Sequence, residues 1–149
     1  MIIRKFRRSD AEEVCRMVKR TFSRFVAPDF ARGGIKKWLE QQTPQKQIER
    51  AAARDVYVAV IGNKIVGMIE AAENKRISRL FVDRRYHRRG IARNLAIKIE
   101  MLFRKRGIKL IRVYSSGFAR EFYERMGYRK SRGAVRKDGM VYYPMNKIL

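Results

Sequence analysis

Apolar positions along the chain change their period repeatedly, and each change marks an element. Ile2, Ile3 and Phe6 form a short apolar start that suits a strand. Ser9 and Glu12 stand at capping-box spacing, and Val14, Met17, Val18, Thr21, Phe22 and Phe25 follow at helical spacing, which predicts a helix over about 10–25. Pro28 and Gly33-Gly34 interrupt it. A second helical piece spans about 35–42 and stops before Pro44, and a third short one covers about 45–53. From Asp55 the period is that of strands: Val56 to Ile61, a two-residue turn at Gly62-Asn63, and a return over Lys64 to Glu73 with Gly67 at a bulge. After Asn74-Lys75, the stretch Arg76 to Val82 alternates, with Ile77, Arg79 and Phe81 on one face and Ser78, Leu80 and Val82 on the other. A charged connection, Asp83 to Arg89, leads to Gly90 and a long helix whose stripe is Ile91, Leu95, Ile99, Leu102 and Phe103. Arg104-Lys105-Arg106 load its last turn with cations and Gly107 stops it. A strand over 108–114, a short helix over 117–126 and a hairpin of Tyr128 to Val135 with Met140 to Asn146 close the chain. Without the third helical piece the order is β-α-α-β-β-β-α-β-α-β-β, which predicts a single domain over 1–149 of α/β (α+β) class with helices packed on one sheet.

Composition narrows the classes. A chain of 149 residues, 46% apolar and 11% aromatic, buries roughly 68–70% of its unfolded surface and needs no disulfide or metal staple. One cysteine cannot make an internal disulfide, which fits a reducing compartment. The longest apolar run, Val56 to Ile61, falls far below the ~20 residues of a membrane span. The charged start, with Asp10, Glu12 and Glu13 close behind, reads as neither secretory nor transit peptide. These features predict a soluble cytoplasmic protein with no membrane partner. The lone His87 and a Cys15 among apolar helix neighbours argue against metal or cysteine-nucleophile chemistry. The 37 Lys+Arg against 14 Asp+Glu give +23, a field that favours anionic partners. A nucleic-acid-binding module has that charge, but zinc-finger spacing, an RNP-type aromatic strand and a recognition helix are all absent.

The most informative stretch is Leu80-Phe81-Val82-Asp83-Arg84-Arg85-Tyr86-His87-Arg88-Arg89-Gly90-Ile91-Ala92. It reads as a strand, a basic loop and a glycine at the mouth of a helix. Backbone N–H groups there lack intrahelical partners and the helix dipole adds positive charge, a geometry that receives phosphate oxygens. An ordinary capped helix behind a solvated basic loop has the same spacing.

Leu80-x-Val82 followed by His87-x-x-Gly90-x-Ala92 resembles the acyl-CoA signature of the GNAT (Gcn5-related) N-acetyltransferases, and Ala119-Arg120-Glu121-Phe122-Tyr123-Glu124-Arg125-Met126-Gly127-Tyr128 resembles that family's A-x-x-[FY]-Y-[EK]-x-x-G-[FY] segment. The resemblance implies a GNAT-like mixed, mostly antiparallel sheet in which the strand of Leu80-Phe81-Val82 splays from that of Ile108 to Tyr114. It implies acetyl-CoA as cosubstrate, with pantetheine on the backbone of Phe81 and Val82. Pyrophosphate would rest on the N–H groups of His87, Arg88, Arg89, Gly90, Ile91 and Ala92, and Tyr123 would protonate the departing thiolate. The backbone N–H of Val82 would hold the oxyanion. His87 stands where Arg or Gln is usual, Ser116 where many members carry Asn, and Arg84 at a frequent proline.

The general base is open: 108–114 has no carboxylate, Lys75-Arg76 stands where histone-acetylating relatives carry Glu, and Glu70 and Glu73 are the nearby acids, with Glu70 the candidate. Trp38 either packs or lines the acceptor entrance. The acceptor is an unidentified primary amine, on a small molecule or on a protein, and the surplus charge reflects either host composition or an acidic or nucleic-acid-associated acceptor. The closing strands offer a homodimer surface. A non-catalytic acyl-CoA sensor is the alternative function.

Overall fold

The computed structural model describes residues 1–149. Its elements are β1 (Ile2–Lys5), α1 (Ala11–Phe25), α2 (Arg32–Glu40), α3 (Pro44–Ala53), β2 (Asp55–Ile61), β3 (Lys64–Ala72), β4 (Arg76–Val82), α4 (Ile91–Lys105), β5 (Leu110–Ser115), α5 (Arg120–Arg125), β6 (Arg129–Lys130), β7 (Val135–Lys137) and β8 (Met140–Ile148). The strands form one mixed sheet in the order β1-β2-β3-β4-β5-β8-β6, with β7 also against β8. Every neighbouring pair is antiparallel except β4 and β5. The third helical piece is a true helix: Pro44 starts it, and Thr43 Oγ1 accepts the Lys46 N–H at 3.2 Å.

Each face of the sheet has its own core. Ala59, Ile69, Ala71, Ile77 and Val82 pack under α4 with Leu95, Ile99 and Phe103. On the other face Val56, Val58, Ile65 and Met68 meet Val14, Met17 and Val18 of α1. The sheet is thus covered on both sides near β2–β4, which is why β3 reads as an almost unbroken apolar run.

Two bulges adjust this pattern. One falls at Val66, where Ala59 pairs with Gly67 and Val60 with Ile65. The other falls at Ser78, since Glu70 pairs with Arg79 but Ala71 with Ile77. Strict alternation would group Ile77 with Arg79 and Phe81; the extra residue instead sends Ile77 under α4 with Leu80 and Val82 and leaves Arg79 and Phe81 on the α1–α3 face beside Trp38. A bulge reverses the side-chain phase at one point.

Other boundaries also move. The expected Ser9–Glu12 capping box does not form. Asp10 takes over: its carboxylate accepts the Arg7 N–H at 2.7 Å and two hydrogen bonds from Arg4. The expected strand over 128–135 is two short pieces, because the chain leaves the edge after Ser131, whose N–H donates to Pro144 O. β7 and β8 then turn at Asp138-Gly139, and this turn docks on α2: Ala31 N–H donates to Gly139 O at 2.8 Å, and a Cβ at Gly34 would come within 2.2 Å of that oxygen.

The feature that positions the site is the junction of β4 with β5. Their parallel pairing covers only Arg76 with Arg112 and Ile77 with Val113. Beyond it the strands diverge, so Ser78 to Val82 have no partner on that side, and a cleft opens toward the N-terminus of α4.

Candidate active site

The hydrogen-bond phase of β4 decides which backbone groups face the cleft. Asp83 N–H donates to Val66 O at 2.8 Å. In an antiparallel ladder, hydrogen-bonded and open pairs alternate, so Phe81, opposite Met68, turns its N–H and C=O toward β3. Leu80 and Val82 turn theirs into the cleft. The expectation that Phe81 offers its backbone is therefore corrected to Leu80: the Phe81 groups are already paired within the sheet. The Phe81 ring lies edge-on to Trp38, which stacks on Phe22 at 3.8 Å between centroids. Trp38 is thus a packing residue.

The loop after β4 is built by Asp83, which in the sequence is one member of a charged connection. The signal was its position two residues before Arg85, the spacing of an Asx turn. Its buried carboxylate accepts the Arg85 N–H at 3.0 Å and is flanked by Arg20 and Arg85. Burial pushes this carboxyl up, and the arginine contacts more than offset that, holding it below the usual range. His87 then departs from its expected role. Its N–H closes a turn onto Arg84 O, and its ring Nε2 lies 2.7 Å from Val82 O. It braces the loop against the strand and offers no backbone donor to a phosphate.

The donors begin one residue later. The N–H groups of Arg88, Arg89, Gly90, Ile91, Ala92 and Arg93 make no backbone hydrogen bond outside the helix and precede its first i→i−4 partner. Arg88 at φ 61° and Gly90 at φ 78° are left-handed, and such alternation curls successive N–H groups around an anion. Space is open at Gly90, where a Cβ would meet nothing within 4 Å. The Arg89 guanidinium lies over the Tyr86 ring at 5.1 Å. Ile91 sends its side chain into the core, and Ala92 packs against that core, so both serve the site through backbone alone. These residues fit a pyrophosphate.

Tyr123 of α5 is 3% exposed and belongs to the same core cluster as Val82 and Ile91. Its hydroxyl has no protein partner, but the fully enclosed unpartnered side-chain atoms are Arg50 Nε and Arg76 Nε alone; the Tyr123 oxygen therefore touches accessible space. Burial pushes its hydroxyl well above the ordinary tyrosine range, so it holds its proton at any physiological pH. Ser116 Oγ accepts the Ala119 N–H at 3.1 Å, which commits the oxygen to the turn into α5 and leaves its hydrogen free to donate.

Glu70 is not available as a base. It is 0% exposed and held by Arg79 at 2.6 Å, Arg54 at 2.8 Å, Ser78 Oγ at 2.9 Å and Gln47 Nε2 at 3.0 Å. Burial would raise its carboxyl, but the charge of Arg79, the Gln47 hydrogen bond, Arg50 and Arg54 pull it down to about 2. A carboxylate so stabilised does not take a proton near neutral pH. Glu73 is exposed and lies 3.5 Å from Arg54. One carboxylate near the end of β5 is free of such partners. Asp29, exposed and in no ion pair, follows α1 and lies over the end of β5, where a Cβ at Gly117 would come within 2.9 Å of its Oδ2. Nothing in the sequence marked it, because the contact joins segments far apart in the chain.

Comparison with known proteins bears on the family and the fold. Residues 26–149 match the family model described as the acetyltransferase (GNAT) domain. The N-acetyltransferase YafP of Escherichia coli K12, itself uncharacterized, is 29% identical over 126 residues, which are 85% of this chain and 79% of YafP. Among solved structures, a GCN5-related N-acetyltransferase from Rhodopseudomonas palustris superposes with a TM-score of 0.88 at 22% identity, over 99% of this chain and 95% of its own. The PaiA N-acetyltransferase of Thermoplasma acidophilum, solved in complex with coenzyme A, does so with 0.84 at 21% identity, over 99% and 98%.

Proposed function

The chain belongs to the GNAT acetyltransferase family and is an acetyl-CoA-dependent N-acetyltransferase; from that premise we propose which of its residues carry the transfer to a primary amine. The observation that carries the assignment is the meeting of two unpaired backbone sets at one cleft, the β4 edge at Leu80 and Val82 and the donor run Arg88 to Arg93. No helix is long and apolar enough to cross a membrane.

Acetyl-CoA, when bound, supplies the acyl group as a thioester. The N–H groups of Arg88 to Arg93 hold its pyrophosphate, with Arg88 and Arg89 adding formal charge and Ser116 an O–H at the far wall. Leu80 and Val82 direct their N–H groups at the pantetheine amide and at the acyl oxygen as it gains negative charge. Because His87 holds Val82 O, the N–H of Val82 is the unpaired group of that residue. Asp29, directly or through water, takes the proton that the acceptor nitrogen must lose, since a lysine-type amine near pKa 10.4 is mostly protonated at neutral pH. The nitrogen–carbon bond forms as the carbon–sulfur bond breaks, and Tyr123 delivers its proton to the sulfur.

Calorimetric titration with acetyl-CoA tests the cofactor seat. Wild type should bind saturably, and Gly90→Glu should not, because a side chain at a left-handed position strains the loop and a carboxylate opposes the phosphates. Unchanged binding by that variant refutes the seat. Asp29→Asn should lower kcat/KM by about 10²-fold at pH 7 and much less at pH 9, where more of the amine is already neutral; an equal loss at both pH values rejects Asp29 as the base.

A further inference from the structure

On the face of the sheet away from α4, burial alternates along β5: Ile111, Val113 and Ser115 are buried, while Arg112 and Tyr114 are exposed. Beside them lies a groove of about 260 Å³, lined in part by Arg112, Tyr114, Arg132 and Asn146. Arg76 stands at its rim, its guanidinium 4.6 Å from the centre of the Tyr114 ring, and Tyr114 stacks on Tyr142 at 4.9 Å.

The charge here has no acidic partner, as is also true of Arg88 and Arg89 at the entry to α4. Arg4, Arg20, Arg50, Arg54, Arg79, Arg85 and Arg106 each have a carboxylate partner, but none of the ion pairs includes Arg76, Arg112 or Arg132. Arg76 Nε is in addition enclosed and without any hydrogen-bond partner. That atom is out of a ligand's reach, but the two terminal nitrogens of this half-buried, ring-stacked guanidinium are neither bonded nor enclosed and are placed to receive an anion. The placement relative to the chemistry follows from register. Arg76 and Arg112 pair where β4 and β5 begin to diverge, and Leu80, whose N–H faces the cleft, is four residues further on, about 13 Å along the strand.

We propose that the amine acceptor carries an anionic group, a carboxylate or a phosphate, which Arg76, Arg112 and Arg132 hold in this groove while the amine reaches the cleft beside Leu80. This rests on the acetyltransferase reading and specifies its substrate class. A groove of this volume is near the lower limit of small-molecule sites, so the occupant is a small acceptor. Polycationic acceptors are disfavoured by the same three charges.

The test uses matched amines long enough to bridge the groove and the cleft: 8-aminooctanoate against its amide for the carboxylate arm, 8-aminooctyl phosphate against 8-aminooctanol for the phosphate arm, and spermidine as the cation. Release of free CoA is followed with each, and binding to the CoA-saturated protein is measured by calorimetry. At least one anionic amine should exceed its neutral partner by tenfold or more in kcat/KM and bind saturably. Arg112→Gln, at an exposed position that folding tolerates, should raise KM for the anionic amine tenfold with kcat and acetyl-CoA affinity unchanged, and Arg112→Glu should reverse the preference toward spermidine. Equal or better use of the neutral amines or spermidine by wild type overturns the proposal. So does the absence of saturable binding by both anionic probes. Acetyl-CoA binding without CoA release on any amine, with the anions still bound, would instead leave the groove assigned and count against the catalytic roles of Asp29 and Tyr123.

Discussion

Two buried side chains with opposite proton preferences divide the labour at residue scale. Tyr123 is kept protonated by burial, as the proposed role of donor to the departing sulfur requires. Tyr123→Phe should lower kcat by about 10²-fold or more and leave acetyl-CoA affinity intact, a split that single-turnover kinetics beside calorimetry would read. Glu70 is kept ionised at about 2 by its arginines, so its contribution belongs to stability. A carboxyl depressed from its ordinary value near 4.3 stabilises the fold fully above that value and loses its contribution as pH falls toward 2. Acid unfolding of wild type should therefore steepen below about pH 4. Glu70→Gln, which leaves the mostly covered Arg79 without its counter-charge, should cost about 3–5 kcal/mol at pH 7 and flatten that part of the acid limb in chemical denaturation. Cys15, buried and pushed up by burial, has no such task.

At the scale of elements, the bulge at Ser78 is what makes one strand serve two purposes. It lets Ile77, Leu80 and Val82 share the α4 core while Arg79 and Phe81 serve the other face. Helical pieces and hairpins were legible from apolar period and turn residues, and the open N–H groups at the mouth of α4 were legible from the basic loop and Gly90 that precede it. The phase of β4 was not legible, since a bulge adds one residue without any sequence mark, and that phase is what exchanges Phe81 for Leu80 at the cleft. The docking of the β7–β8 turn on α2 was equally hidden, though Gly34 and Gly139 lay in view. Gly34→Ala would drive a Cβ into Gly139 O and should lift the turn away. Faster amide exchange at Ala31, whose N–H donates there, should accompany a lower Tm.

Across the whole molecule, the charge of +23 is distributed unevenly in function. Some arginines anchor carboxylates, as around Glu70 and Asp83, and others, at Arg88 and Arg89 and around Arg112, have no acidic partner. The unpaired ones act through a field that salt screens, with a Debye length near 10 Å at 0.1 M falling to about 3 Å at 1 M. Acetyl-CoA affinity should accordingly weaken as ionic strength rises, and a salt-independent dissociation constant would assign the seat to backbone donors alone. By itself the sequence determined the element types, the mixed sheet with its helices, the glycine at the mouth of α4 and the place of Tyr123 on a short helix, because periodicity, turn chemistry and short motifs are local and each is written within a few consecutive residues. Tertiary structure alone decided that Glu70 is an ion-pair anchor, that His87 braces Val82, that Asp29 reaches the end of β5 and that Arg76 and Arg112 face one groove without a counter-charge. Those facts depend on which distant side chains arrive at the same place, and burial and pairing, which fix a group's protonation and freedom, exist only once they have arrived.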